Sequence, residues 1–342
     1  MKIGIDIGGS HIASGLLLDK GKLIGKETRD IDVSSINSEK RAQNIILDTI
    51  NSEIKILLER HDYTYGDISK IGIAVPGSPS DTCLRRLVNL HIRNFNIADK
   101  LHEQYKTKII IKNDGKCAGV AEKKYGALKQ YNDCVFICIG TGVGSAVFLN
   151  GQLLEPKKNP GFEFGHMIIQ KDGIECNCGN KGCFETYASM KRFKNNAINK
   201  LKLSKDTQSE ELQNYIRKNI SKQNVNKFIN EYLYNVSIGV ANIVNIFEPQ
   251  AVCFGGSFSY YSDIFIPILE KKIKEKVFNK EDKIKLISAK LKNDAGIIGA
   301  TEIWIKSEKG TCVPFLQLFL FFIFWNDYIV FIWWFFIFNF KG

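Results

Sequence analysis

Two stretches of this 342-residue chain follow one pattern. "KIGIDIGGSHIASGLLLDKGKLIG" opens the chain, and "DCVFICIGTGVGSAVFLNGQLLEP" returns to it, with Gly8 and Gly140 standing 132 positions apart. Each reads as an apolar strand, a Gly-rich turn, a second strand, a polar turn and a third strand. A repeat of that length implies an internal duplication. The chain is long enough for two ordinary domains, so the expected class is α/β with two facing lobes and a Gly-rich hairpin from each at the cleft between them. After the first unit, residues 38–60 predict a helix with Ile46, Ile50, Ile54, Leu57 and Leu58 on one face. "KIGIAVPG" and "KIIIKND" read as buried strands, and "GKCAGVAEKKYGAL" has helical spacing. After the second unit come a polar helical region at about 189–228, the apolar helix "FINEYLYNVSIGVANIVNIF" and the buried strand of "PQAVCFGGSF". "LKNDAGIIGATEIWIK" closes the globular part with a helix expected to pack back near the first lobe. The expected division is a first lobe at 1–115, a second at 116–293, the closing helix at 294–308 and a tail at 309–342.

Hydrophobic residues make up 44% and charged residues 24%, as in a soluble globular protein. The net charge of +11 would suit nucleic acid or an anionic nucleotide. No stretch interleaves aromatics with arginines, so no nucleic-acid partner is expected. Nine cysteines in a chain of this length do not make a secreted disulfide scaffold, and the start goes straight into a strand without a signal-peptide run, so a reducing cytoplasm is expected. The tail is dense in Phe, Ile and Trp, and Asn326 and Asp327 split it below the roughly 20 apolar residues a membrane helix needs. It reads as an anchor or as an out-of-frame end; membrane association is not expected, and the tail is left out of the fold.

Several short motifs carry chemistry. "DIGGS" sets Asp6 at a strand end before Gly8, Gly9 and Ser10; it is either a tight hairpin or a phosphate loop whose Asp6 holds magnesium through water. "GTGVG", with Gly140, Thr141 and Gly142, is the matching loop, and the two together would clamp a polyphosphate. Gly255 and Gly256 in "FGGS" stand beside an adenine or ribose, or simply start a helix. "KND" puts Asn113 and Asp114 at the end of a buried strand, where clefts form in α/β sheets. Asp114 there is a proton acceptor or a helix cap, and local sequence alone favours the cap.

"GHMIIQKDGIECNCGNKGCFE" holds His166, Cys176, Cys178 and Cys183, the one-imidazole, three-thiolate set of closed tetrahedral zinc sites. Gly179 and Gly182 allow the tight turns that would bring three sulfurs onto one ion. Four protein ligands leave no open position, so such a metal is structural; three metal-free thiols are the alternative. Glu163 and Glu185 flank the cluster, are not needed as ligands, and are free to bind a polyol.

These residues resemble the ROK family of sugar kinases and repressors. "GFEFGH" resembles the family's E-x-G-H signature, and "CNCGNKGCFETYAS" its C-x-C-G-x-x-G-C-x-E motif. "DIGGS", "VPG", "VNL", "ND", "GTGVG", "FGGS" and "NDAGIIGA" follow in the family's order, so that the likeness covers roughly residues 1–305. The resemblance implies a duplicated actin-like, ribonuclease H-like fold with nucleotide and sugar in the interlobe cleft. It implies ATP, Mg²⁺ and a structural Zn²⁺ as cofactors, and Asp114 as the catalytic base. Asn89, Asn113, Asp114, Glu163, His166 and Glu185 match sugar contacts; Asp6, Gly8, Gly9, Ser10, Gly140, Thr141, Gly142, Gly255 and Gly256 match nucleotide contacts. The expected activity is ATP-dependent phosphorylation of the 6-hydroxyl of a hexose, glucose by default, by a homodimer. The alternatives are an N-acetylmannosamine or N-acetylglucosamine kinase, or a sugar-responsive regulator; with the first strand beginning at Lys2, a DNA-binding segment ahead of it is not expected. Two departures stand out: Lys116 where the family commonly has asparagine, and Arg85 and Arg86 in an expected turn that is often Gly-rich.

Overall fold

The computed structural model describes residues 1–31, 38–80, 82–87, 90–156, 161–281 and 283–303. Asn89 and the tail at 309–342 lie outside the described residues. The chain runs through β1 (Lys2–Ile7), β2 (His11–Leu17), β3 (Leu23–Asp30), α1 (Glu39–Arg60), β4 (Lys70–Val75), β5 (Leu84–Leu87), β6 (Ile92–Phe95), α2 (Ile97–Tyr105), β7 (Lys108–Asn113) and α3 (Asp114–Lys124). It continues through β8 (Cys134–Ile139), β9 (Val143–Leu149), β10 (Gln152–Leu153), α4 (Glu185–Ala188), α5 (Met190–Leu201), α6 (Ser209–Asn219), α7 (Gln223–Phe247), β11 (Ala251–Gly255), α8 (Ser262–Lys274), β12 (Lys285–Ser288) and α9 (Ala295–Glu302).

The duplication is plain in the strand order. One sheet runs β3-β2-β1-β4-β7 and the other β10-β9-β8-β11-β12. In each, three strands form an antiparallel meander and two more join in parallel. The inner parallel strands β4 and β11 are buried along their whole length, which is why both read as apolar runs. Helix α1 lies on β2 and β3 with Ile46, Ile50, Ile54, Leu57 and Leu58 all buried, and Ser38 caps its start by accepting from Arg41 N. The apolar helix of the second lobe, α7, begins at Gln223, five residues ahead of the apolar run. The pair Arg85 and Arg86, expected in a turn, lies in β5, which pairs with β6 in a two-stranded sheet; the cross-strand pairs Leu84–Phe95 and Leu87–Ile92 of that ribbon are buried.

The lobes are joined reciprocally. Helix α3 follows the last strand of the first sheet and lies on β8 and β9 of the second; α9 follows the last strand of the second sheet and lies on β1 and β4 of the first. The two helices also pack on each other. Small residues make the contacts: a Cβ on Gly299 would fall 1.7 Å from Cys117 O, one on Gly4 2.1 Å from Ile297 O, one on Gly72 2.1 Å from Ala300 O. At the far end of α9, Glu302 is buried and accepts from Lys2 Nζ (2.9 Å), Lys124 Nζ (3.0 Å) and Tyr125 OH (3.1 Å). Burial alone would raise its pKa, but the two lysines hold the carboxyl below the ordinary glutamate value.

Glu53 of α1 is fully buried in the first lobe. Its Oε2 accepts from Ser14 Oγ at 2.5 Å, while Oε1 has no hydrogen-bond partner. Burial pushes its pKa up to about 7.

Two outcomes follow from this packing. Gly299→Ala forces backbone apart between α9 and α3 and should lower unfolding free energy by at least about 2 kcal/mol in urea melts, whereas Gly66→Ala, whose Cβ would meet nothing nearer than 3.7 Å, should leave it unchanged. An acid whose folded pKa is raised contributes its full stability below its unfolded value near 4.5, and that stability is lost as pH rises through about 7. Glu53→Gln removes the titration, so between pH 5 and 8 the wild type should lose up to about 3 kcal/mol relative to this variant; parallel melting curves across that range would refute the assignment.

Candidate active site

Asp6 sits near the end of β1, opposite Ala13 of β2 and Ala74 of β4. Helix α9 approaches it closely: a Cβ on Gly296 would fall 2.3 Å from Asp6 Oδ2. Burial first, and the charge of Asp114 second, raise the Asp6 pKa to about 7 against the pull of Lys26. The turn of Gly8, Gly9 and Ser10 follows, closed by Gly8 N donating to His11 O (2.9 Å), and Ser10 is exposed.

Asp114 is the first residue of α3, and the cap that local sequence favoured for it belongs to its neighbour. Asn113 Oδ1 accepts from Lys116 N (3.1 Å), and Asn113 Nδ2 donates to Gly77 O (2.9 Å). Asp114 Oδ1 accepts from Gly115 N (2.7 Å). Burial raises its pKa above the ordinary aspartate value. Gly115 brings α3 against the second Gly-rich loop, since a Cβ there would lie 2.8 Å from Ser145 N and 3.1 Å from Gly144 Cα. One helix start thus sets Asp114 beside both Asp6 and that loop. Asn113, expected to reach a sugar, has both polar atoms engaged within the protein.

The loop at 140–144 is held from below. Glu185, at the start of α4, accepts from Val143 N through Oε2 (2.8 Å), and a Cβ on Gly142 would fall 2.6 Å from the same oxygen. Gly140 O accepts from Met190 N at the start of α5 (2.8 Å). Gly255 ends β11, and Gly256 has φ +67° and a Cβ there would fall 2.6 Å from Ile139 O, so only glycine suits the turn. A groove of about 490 Å³ lies alongside, lined by Gly140 and Thr141, Lys191 and Lys194 of α5, Gln213 of α6, and Ser257. The side chains from α5 and α6 were not legible as site residues, because polar groups on amphipathic helices have no local signature.

Glu163 and His166 bracket a 3-10 turn, with His166 N donating to Glu163 O (3.0 Å). Partial desolvation raises the Glu163 carboxyl above the ordinary glutamate value; Lys116 and His166 pull it down, and Asp114 and Glu185 push it up. The charges that act on Glu163 thus include Asp114 and Glu185.

The cysteine cluster forms as its spacing suggested. Gly179 at φ +93° and Gly182 at φ +80° turn the chain, and a Cβ on Gly182 would lie 1.8 Å from Gln170 O. Cys176 N donates to Asn180 O (2.8 Å), Ile169 N to Gly182 O (2.9 Å) and Phe184 N to Met167 O (2.7 Å), tying the cluster to the E-x-G-H turn. The donor atoms of His166, Cys176, Cys178 and Cys183 all lie within 4.8 Å of one another. Cys178 Sγ to Cys183 Sγ is 3.6 Å, and Cys176 Sγ to His166 Nδ1 is 3.8 Å. A tetrahedral ion with Zn–S bonds of about 2.3 Å has ligand–ligand edges of about 3.8 Å, so the donor set fits zinc in number, type and spacing.

The chain is 27% identical to the xylose repressor of Bacillus subtilis, over 89% of this chain and 76% of that one. It is also 27% identical to the glucokinase of Thermotoga maritima, over 88% of this chain and 96% of that one. The fold matches a ROK family glucokinase from Streptomyces griseus solved with glucose and AMPPNP, at a TM-score of 0.73 and 21% identity, covering 88% of this chain and 98% of that one. The profile of the ROK family matches residues 2–307, and the chain belongs to the ROK family.

Proposed function

We propose that the chain is an ATP-dependent kinase for the 6-hydroxyl of a hexose, with glucose as the default substrate. The observation that carries this reading is Asp114: released from capping by Asn113, largely buried, and set between Asp6, the 140–144 loop and Glu163. In the reaction, the hydroxyl proton passes to the Asp114 carboxylate as the sugar oxygen attacks the γ-phosphorus and ADP leaves. Glu163 and His166 orient the sugar hydroxyls. Glu185 serves here chiefly by fixing the phosphate loop through Val143 N. Backbone N–H groups of Gly9 and Ser10 and of Thr141 and Gly142 face the phosphates, while those of Gly8 and Gly140 close the two turns on His11 O and Gly142 O; the groove beside Ser257 and Gly256 takes the nucleoside.

Asp6 and Asp114 are carboxylates close enough to raise the Asp6 pKa. Such a pair suits a divalent cation, and Mg²⁺ would be held by Asp6 through water and supply neutralising charge at the phosphates. Zn²⁺ on His166, Cys176, Cys178 and Cys183 would be structural, fixing where Glu163 and Glu185 point. The chain is taken to act as a homodimer in the cytoplasm. Among the described residues, no helix is long and apolar enough to cross a membrane.

The similarity to a xylose repressor favours a second reading, a sugar-responsive regulator. The two separate in one assay: ADP release measured with glucose, mannose, fructose, N-acetylmannosamine and N-acetylglucosamine. Sugar-dependent turnover supports the kinase; sugar binding with no turnover on any of the five sinks it.

Asp114→Asn keeps the shape and removes the proton acceptor, so kcat should fall by about 10²–10⁴-fold with sugar affinity retained. Because burial raises the Asp114 pKa, wild-type activity should be lost on acidification at a pH above the ordinary aspartate value, and near-normal turnover of the variant would reduce Asp114 to a structural role. Metal analysis should find about one zinc per chain; Cys178→Ser should lose it and weaken sugar binding, and a wild type without metal after gentle purification contradicts the zinc assignment.

A further inference from the structure

Lys116 is 2 % exposed, in the first turn of the helix that Asp114 begins. A buried ammonium costs free energy unless it is paired, and burial indeed lowers its pKa. Its partners all lie on one segment or next to it. Nζ donates to Gly161 O at 3.1 Å and stands 5.6 Å from the centroid of the Phe162 ring. The charges of Glu163 and Glu155 act to keep it protonated, and Lys112 opposes them.

The segment it grips is strained. Gly161 has φ +63°, and Phe162 has φ +55°, the left-handed region that a bulky side chain avoids. Such a conformation persists only where the surroundings over-determine it. Three contacts besides Lys116 do so: Ser145 Oγ donates to Phe162 O, Phe164 N donates to Phe162 O (2.9 Å), and the Phe162 ring packs on Phe247 at 5.9 Å. The next residue is Glu163, followed by the turn that carries His166.

We propose that Lys116 is a positioning residue, a buried cation that clamps the left-handed turn at 161–162 to α3 and so holds Glu163 in register with Asp114. It does not touch the substrate; it sets sugar affinity through Glu163. This role rests on the hexose-kinase reading for its substrate, while the clamp itself is read independently of turnover.

The test uses Lys116→Met, which keeps the stem and removes the ammonium, and Ser145→Ala, which removes the second anchor on the turn. Amide hydrogen exchange reads the turn. In each variant the Phe164 and His166 amides should exchange at least tenfold faster, with the amides of α1 unchanged. Steady-state kinetics read the consequence: sugar KM should rise at least fivefold, with kcat within threefold and the KM for ATP within twofold of wild type. A variant that merely misfolds lowers the active fraction and does not raise sugar KM. Unchanged exchange at Phe164 and His166 in both variants overturns the clamp. Faster exchange with an unchanged sugar KM overturns the positioning of Glu163. If the wild type turns over no hexose yet both variants speed exchange, the clamp stands and the kinase reading falls.

Discussion

Everything in this molecule depends on two helices that cross between lobes. Helix α3 leaves the first sheet to lie on the second, α9 leaves the second to lie on the first, and the pair pack together. Their contacts run backbone to backbone at Gly4, Gly72, Gly115 and Gly299, where any side chain would pry the lobes apart. The apolar cluster between the sheets is accordingly rich in alanine, with Ala13, Ala74, Ala118, Ala121, Ala146 and Ala300. Close packing of this kind has two consequences at once. It joins the lobes through a buried apolar interface, and it fixes the start of α3, where Asp114 stands, against the second Gly-rich loop.

The electrostatics of the site follow from that placement. Asp6, Asp114 and Glu163 all have raised pKa values, and in each the first cause is removal from water. Folding thus gathers carboxylates that repel one another, an arrangement that a cation and a polar substrate would relieve. The protein's own compensation is Lys26 near Asp6 and Lys116 near Glu163. The cysteine cluster stands outside this set but is tied to it through Phe184 N and Met167 O, so rigidity in the cluster is passed to the turn that carries Glu163.

Much of this was legible in the sequence, and the reasons are specific. The duplicated strand pattern predicted both sheets because period-2 and continuous apolar runs are local signals, and the two strand orders match it. The ligand spacing of the cysteine cluster was legible because four donors within 18 residues, with two glycines at left-handed positions, leave few other geometries. The division of labour between Asn113 and Asp114 was not, since either residue caps a helix and only the hydrogen bonds to Lys116 N and Gly77 O decide between them. Nor could Arg85 and Arg86 be recognised as strand residues, because β5 and β6 are four residues each and their pairing is set by tertiary burial. Lys116 appeared only as a departure from a family pattern; its partners at 161–163 lie 45 or more positions away. Glu53 gave no signal at all, as a glutamate on a helix is ordinarily solvated.

The central claim is that the junction of the two lobes transfers the γ-phosphoryl of ATP to a primary sugar hydroxyl with Asp114 as base. Phosphorus NMR of the product made from ATP and glucose tests it most directly. Transfer to the 6-hydroxyl gives a phosphomonoester coupled to the two protons of a CH₂ group, a triplet, in amounts equal to the ADP formed. A doublet, which reports phosphate on a ring carbon, or inorganic phosphate in place of a sugar ester, would contradict the account.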